Sequence, residues 1–360
     1  MKAKGQESST SEVEHGRRSS FLRGLWVLGV LFAWIPCEHV FSLGGKKEPT
    51  SPEEPVVAAV APSVSPAQTE VAQVEQLCAD LRKSVKNLKW EVDPCPADIR
   101  WKVGGHSIEG RPLIHAEVGN PDSRNTTLVF SMVHGDEVTP LYIGLELLKW
   151  VQVNRATLGD FRLVVAPLVN PDSFFKSPRT RVNARGVDVN RNFPTRDWKE
   201  RATHAWKVRF KSNPRRFPGY EPDSEPETRY QRELISTTKP IKILSVHAPL
   251  NFMDYDGPSQ LSLERFPKDY VQECLKLRKS LKATSGGFFP GSLGNYAGQE
   301  LGIPTLTLEL PSADPAKARR YWEQFRAGIR TMIEYAMPEV AYRAQLAPGH
   351  GQAERQSRIQ

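Results

Sequence analysis

Residues 126–151 read TTLVFSMVHGDEVTPLYIGLELLKWV. An apolar, β-favouring run at 126–133 comes first and a helical spacing of apolar residues at 137–151 follows, so the chain passes from strand to helix across the tetrapeptide HGDE. The same kind of run recurs as LIHAEVG at 113–119, FRLVVAPLV at 161–169, IKILSVHA at 241–248 and IPTLTLEL at 303–310. Several are apolar almost throughout, as strands covered on both faces must be. Further helical patterns lie at 261–282 and 312–336. The alternation predicts an α/β domain over 97–343, with a mixed, largely parallel sheet flanked by helices.

Outside that domain the texture changes. Arg17, Arg18 and Arg23 precede the apolar GLWVLGVLFAWI at 24–35, which makes 1–43 read as an export segment. Its twelve uncharged residues are short for a membrane span of roughly 20, which favours a cleaved signal over a stable transmembrane helix. RRSSFLR has its arginines one residue too far from the rest of a twin-arginine pattern, and WIPC is a poor lipoprotein box around Cys37, so the route stays open. Residues 44–69, rich in Pro, Ala, Ser and Glu, carry too little bulky apolar surface to fold and read as a flexible linker. Apolar residues at three- and four-residue steps from Val71 to Leu88 predict an amphipathic helix that lies on the catalytic domain or, less well, a coiled-coil stub. With the loop that follows, it makes an N-terminal segment of 70–96. Residues 344–360 are a polar, loose tail.

The whole chain has 360 residues, 39% of them hydrophobic, enough for one large domain or two small ones. Its formal charge of +8 suits anionic partners: nucleic acid, acidic lipid or an acidic wall polymer. Removing 1–43 deletes five basic and four acidic side chains, so the remainder still carries +7. An exported basic protein points to the periplasm or cell envelope and to wall polymer, not to nucleic acid, with membrane contact only through the N-terminal segment. Cys78 and Cys95 can persist as a disulfide there. Closing that loop would stabilise the fold by roughly 3 kcal/mol.

Chemistry-bearing side chains sit where strands end, the usual place for function in open α/β sheets. His134 follows TTLVFSMV, Glu137 opens the next helix, His247 closes IKILSV and Glu309 lies near the end of IPTLTLEL. Two imidazoles and a carboxylate are a donor set for four-coordinate zinc with one position left to water. Cobalt and other divalent ions suit the same ligands.

The ordered pieces HGDE, NPD, TRVNARGVDVNRNFP, SEPET, SVHAP, PGSLG and LTLELP, spanning 134–311, resemble the zinc carboxypeptidase family related to carboxypeptidase A, in its bacterial murein peptide amidase A branch; SIEGRPL at 107–113 is a weaker extension. The resemblance implies that His134, Glu137 and His247 hold zinc and that Glu309 takes the proton of the attacking water and returns it to the leaving amine. It implies that Asp188 accepts the second ring N–H of His134 and that Arg181, with Arg179 close by, stabilises the oxyanion. It further implies that Asn190 and Arg191 clamp a substrate carboxylate, and that Gly291, Ser292, Leu293 and Gly294 form the specificity pocket.

Two departures matter. A tyrosine that the animal enzymes carry just before PGSLG is replaced by Phe288 and Phe289, and Tyr296 falls beyond the motif. No acid marks the PGSLG pocket, which argues against a carboxypeptidase for plain Lys or Arg. The segment WKERATHAWKVRFKSNPRRFP at 198–218 holds seven Lys/Arg among four large aromatics and reads as an insertion at the active-site mouth that meets anionic, sugar-bearing polymer.

The expected function is a zinc amidase of the cell envelope that cleaves the γ-D-glutamyl-meso-diaminopimelate bond of murein peptides; diaminopimelate offers the Asn/Arg pair a free carboxylate on its distal centre. The alternatives are a zinc carboxypeptidase acting on wall or other peptides, an N-acyl amino acid deacylase, and an inactive wall-binding module. The sequence leaves oligomeric state open.

Overall fold

A computed structural model describes residues 66–257 and 289–337, all in the second of two units into which the chain divides, Met1–Ala61 and Pro62–Gln360. The expected export segment, the expected linker as far as residue 65, the helical pattern at 261–282, Phe288 and the expected tail at 344–360 lie outside the described residues. Among the described residues no helix is long and apolar enough to cross a membrane.

Seven strands make one sheet: β1 Trp101–His106, β2 Pro112–Gly119, β3 Thr126–Phe130, β4 Arg162–Ala166, β5 Lys242–His247, β6 Phe252–Asp256 and β7 Thr305–Glu309. Their order is β1-β2-β4-β3-β5-β7-β6. The four central strands β4, β3, β5 and β7 run parallel, while β2 and β6 lie antiparallel to them at either side. Every apolar run read from the sequence is one of these strands. Two more, β1 and β6, escaped that reading.

The central runs are apolar because both faces are covered. Leu128, Phe130, Val164 and Ile243 turn to one side, and Val129, Leu163, Val165 and Leu244 to the other. Each such side chain, wholly buried, stabilises the fold by about 1.5–3 kcal/mol. One face packs under α1 Pro66–Asn87, α2 Thr139–Asn154 and α6 Ala318–Glu334; the other takes α5 Pro226–Thr238, and the short α3 Pro171–Phe175 and α4 Trp198–Val208 lie between β4 and α5 in the chain. In α6 the buried Tyr321, Trp322, Phe325, Ile329, Met332 and Ile333 recur at three- and four-residue steps, a stripe that faces the sheet. Lys242, buried at the start of β5, donates to the carbonyls of Ile333 and Tyr335 and so binds the negative end of that helix.

Helix α1 begins at Pro66, within the expected linker, and buries Leu77, Cys78, Leu81 and Val85 in the main core, so it is no coiled-coil stub. The Cys78–Cys95 disulfide is formed.

Helix α5 anchors the loop that carries most of the polar site. Asn183 Nδ2 donates to Glu225 (2.7 Å) and Glu227 (2.9 Å), while its Oδ1 accepts from the backbone N–H of Arg185 and Val187. The motifs NARGVD and SEPET are thus two halves of one brace. Burial pushes the Glu227 carboxyl up to about 7, against hydrogen bonds from Asn183 that pull it down. The folded chain therefore holds this proton more tightly than the unfolded chain does, and the stability it contributes below pH 4.5 is lost as the pH rises through about 7. Glu227→Gln is expected to remove that slope and to unfold at higher denaturant than the parent at about pH 8, by up to about 3 kcal/mol, with little difference at about pH 4. Urea titrations of both proteins across this range check it; parallel curves would show that Glu227 titrates normally.

Candidate active site

Strand β3 ends in a turn where Met132 takes φ +53°, a conformation that costs a non-glycine residue of the order of 1 kcal/mol. The NPD loop braces it: Asn170 N–H donates to Met132 O, and its side chain to Val133 O. Gly135 lies against the backbone of that same loop, where a Cβ would come within 2.4 Å of Ser173 C, so no larger residue fits between the two ligand positions.

This turn delivers His134 and Glu137 to the C-terminal edge of the sheet, where β5 delivers His247. His134 Nδ1 lies 2.8 Å from Glu137 Oε1, His247 Nδ1 lies 3.0 Å from Glu137 Oε2, and the two Nδ1 atoms are 3.2 Å apart. All three residues are buried and form the single possible metal group among the described residues. The outer ring nitrogens are held from behind: Asp188 Oδ1 accepts from His134 Nε2 at 3.1 Å, and Ser245 Oγ is 2.9 Å from His247 Nε2. That arrangement leaves Nδ1 lone pairs facing inward. Two such lone pairs beside a carboxylate repel one another unless a cation lies between them, and the donor set is the one zinc takes.

Charge around the site is ordered to match. Burial alone would raise Glu137, but His134 and His247 hold its carboxyl well below the usual range. Asp188, fully buried, is held down in the same way by Arg181 and His134. Arg181 Nε donates to Asp188 and its Nη1 to Glu137, both at 2.9 Å. Burial works against its charge, and the two carboxylates more than offset that. Arg179 instead donates to Phe174 O and lies over the Phe174 ring, which separates it from Arg181.

Glu309 ends β7 directly opposite His247 in the parallel register, and its Oε2 accepts from Leu250 N–H at 3.3 Å. Burial raises its carboxyl, and the Glu137 charge adds to this. Asn190 Oδ1 accepts from Leu293 N–H at 2.8 Å, which ties Asn190 to the PGSLG loop. Arg191 beside it is 7% exposed. Its guanidinium lies 4.4 Å from the Phe289 ring centroid, and burial pushes it down to about 9. Its Nε has no partner among the described residues.

His134, Glu137, His247, Arg181, Glu309, Asn190 and Arg191 line one cavity of about 420 Å³, together with Ser292 and Leu293, whereas Asp188 stands behind His134 and Arg179 lies outside the lining. Arg209, Phe210, Arg215 and Arg216 of the basic insertion line it too, as the sequence led us to expect of a segment at the mouth. Tyr296 does not: it stacks on Phe193 at 5.4 Å in the second core.

One expectation fails. The pocket does contain acids, Asp254 and Asp256, supplied by β6 rather than by PGSLG. Asp256 is 6% exposed, and burial, with Asp254 adding to it, pushes it up to about 7. Gly294 of PGSLG abuts it so closely that a Cβ there would sit 1.9 Å from Asp256 Oδ2. The sequence signal was available: in FMDYDG the two aspartates alternate, which puts both on one face of a strand.

The zinc carboxypeptidase pattern matches residues 92–314. Murein peptide amidase A of Escherichia coli (strain K12) is 32% identical over 222 residues, covering 60% of this chain and 84% of that protein. Murein peptide amidase A of Vibrio campbellii is 30% identical over 224 residues, covering 58% and 79%. Carboxypeptidase A from Helicoverpa armigera has the same fold, with a TM-score of 0.53 at 20% identity over 79% of this chain and 74% of that one. With its three convergent ligands and matching sheet, the chain belongs to the zinc carboxypeptidase family and is a hydrolytic metallopeptidase of the murein peptide amidase A-like branch.

Proposed function

We propose that the protein hydrolyses the amide joining a γ-D-glutamyl group to meso-diaminopimelate in peptidoglycan peptides, in the cell envelope to which its N-terminal export pattern points. One observation carries the reading. A carboxylate clamp, Asn190 and Arg191, and a buried acid, Asp256, share one cavity with Glu309. A leaving residue that bears both carboxylate and a side-chain ammonium answers both, and diaminopimelate is such a residue. Its ammonium would hold Asp256 ionised.

Zinc bound by His134, Glu137 and His247 would polarise the scissile carbonyl and acidify a water. Glu309, with its raised affinity for a proton, accepts one from that water as its oxygen adds to the acyl carbon. Arg181 places positive charge beside the oxygen that becomes negative. Glu309 then delivers the proton to the amine nitrogen as the carbon–nitrogen bond breaks, which leaves a free carboxylate and a free amine. Asp188 keeps His134 in one tautomer throughout.

Incubation of the zinc-loaded protein with L-alanyl-γ-D-glutamyl-meso-diaminopimelate is expected to release diaminopimelate, identified by mass spectrometry. Failure to release it would defeat the reading. Asp256 also favours a second reading, removal of a C-terminal Lys or Arg from ordinary peptides; faster release of lysine from an α-linked peptide than of diaminopimelate would establish that one instead.

A further inference from the structure

Among the described residues five arginines and five acids line the cavity, but they are not paired one to one. Arg181 is matched by two carboxylates, and Arg215 Nη1 lies 2.6 Å from Asp136 Oδ2. Among the described residues the Arg191 side chain donates only to the Asn190 carbonyl. Arg216 makes no side-chain hydrogen bond and no ion pair among the described residues, although it is half-buried in the cavity wall. Two guanidiniums that make no ion pair among the described residues therefore face one cavity, an arrangement that favours anions.

Arg216 is also held in place. Its turn, Pro214–Arg216, is capped by the Asn213 side chain, which accepts from Arg215 N–H at 2.9 Å. The Arg215–Asp136 pair ties that turn to the residue between His134 and Glu137. The Arg216 guanidinium lies 5.7 Å from the Phe210 centroid, and Phe210 stacks on Phe289, the ring under Arg191. Arg191 belongs to the leaving-group side, with Asn190, Leu293 and Asp256. Arg216, anchored at the metal-ligand turn, is near enough to Arg181 and Glu137 for the charges to act on one another.

We propose that Arg216 is a specificity-determining residue that binds a second substrate carboxylate, one carried by the acyl group, while Arg191 binds the carboxylate of the leaving residue. This rests on the γ-glutamyl reading above. A glutamyl group joined through its side-chain carboxyl keeps its main-chain carboxylate free, close to the scissile carbonyl, whereas an ordinary α-linked peptide has none there.

The test compares the tripeptide with its analogue in which that one carboxylate is a carboxamide. The parent protein is expected to cleave the acid with about 10- to 100-fold higher kcat/KM, as for one charge-assisted hydrogen-bonding pair. Arg216→Gln should lose that factor on the acid, keep its rate on the amide and bring the ratio near one; Arg216→Lys should recover part of the preference. Equal loss on both substrates, or a parent protein that cleaves both alike, overturns the assignment and leaves the γ-glutamyl reading standing. Cleavage of neither by the parent defeats that reading and this assignment with it. Should Arg216→Gln fail to fold, the parent's preference and the Arg216→Lys ratio decide the matter.

Discussion

Glu309→Gln is expected to bind zinc as the parent does and to turn over about 100- to 10,000-fold more slowly, the usual range when a general acid–base group is removed. The amide keeps the size of the side chain and can still accept from Leu250 N–H, so strand β7 and the cavity shape survive. What it lacks is proton affinity: an amide cannot take the water proton or hand it to the amine. Single-turnover rates together with metal analysis check this. Full zinc content with a rate within about tenfold of the parent would show that another group moves the proton.

Arg191→Met is expected to move activity and stability in opposite directions. Loss of a buried charged partner for the substrate carboxylate costs about 2–5 kcal/mol, or roughly 30- to 4,000-fold in kcat/KM. In the protein without substrate, that same guanidinium is nearly out of solvent, makes no ion pair among the described residues and is pushed down to about 9 by burial. Its charge works against folding. A methionine of similar length that rests on Phe289 removes that burden, so the melting temperature should rise by a few degrees while catalysis falls. Calorimetry and kinetics on one preparation measure both; a lowered melting temperature would mean that Arg191 holds the cleft together instead of straining it.

The parallel centre of the sheet was legible because burial on both faces forces continuous apolar runs, as in TTLVF and KILSVH. Edge strands escape that rule. β1, WKVGGH, has two glycines and mixed exposure, and β6, FMDYDG without its last glycine, carries two acids toward the cleft. Helix α5 hid for another reason: Glu227, Thr228 and Gln231 are buried among Tyr230, Leu234 and Ile235, so its inner face mixes polar with apolar residues and the helical stripe is broken. The metal group was read from side chains at strand ends, and the roles expected of Glu309, Asn190 and Arg191 from the resemblance to the zinc carboxypeptidases. Asp256 was not, because the pocket wall it forms belongs to a strand far in sequence from PGSLG, and adjacency of that kind exists only once the sheet is built. Arg216 was seen only as one charge in a basic run; its lack of a partner is a property of three dimensions.

His247 and Glu309 are neighbours across two hydrogen-bonded strands, so the spacing of these two residues is ruled by backbone pairing and cannot drift as a loop drifts. The groups proposed to choose the substrate, by contrast, come from an insertion, an edge strand and a turn. Such a division lets evolution or an engineer exchange the reading head while the cutting edge stays fixed.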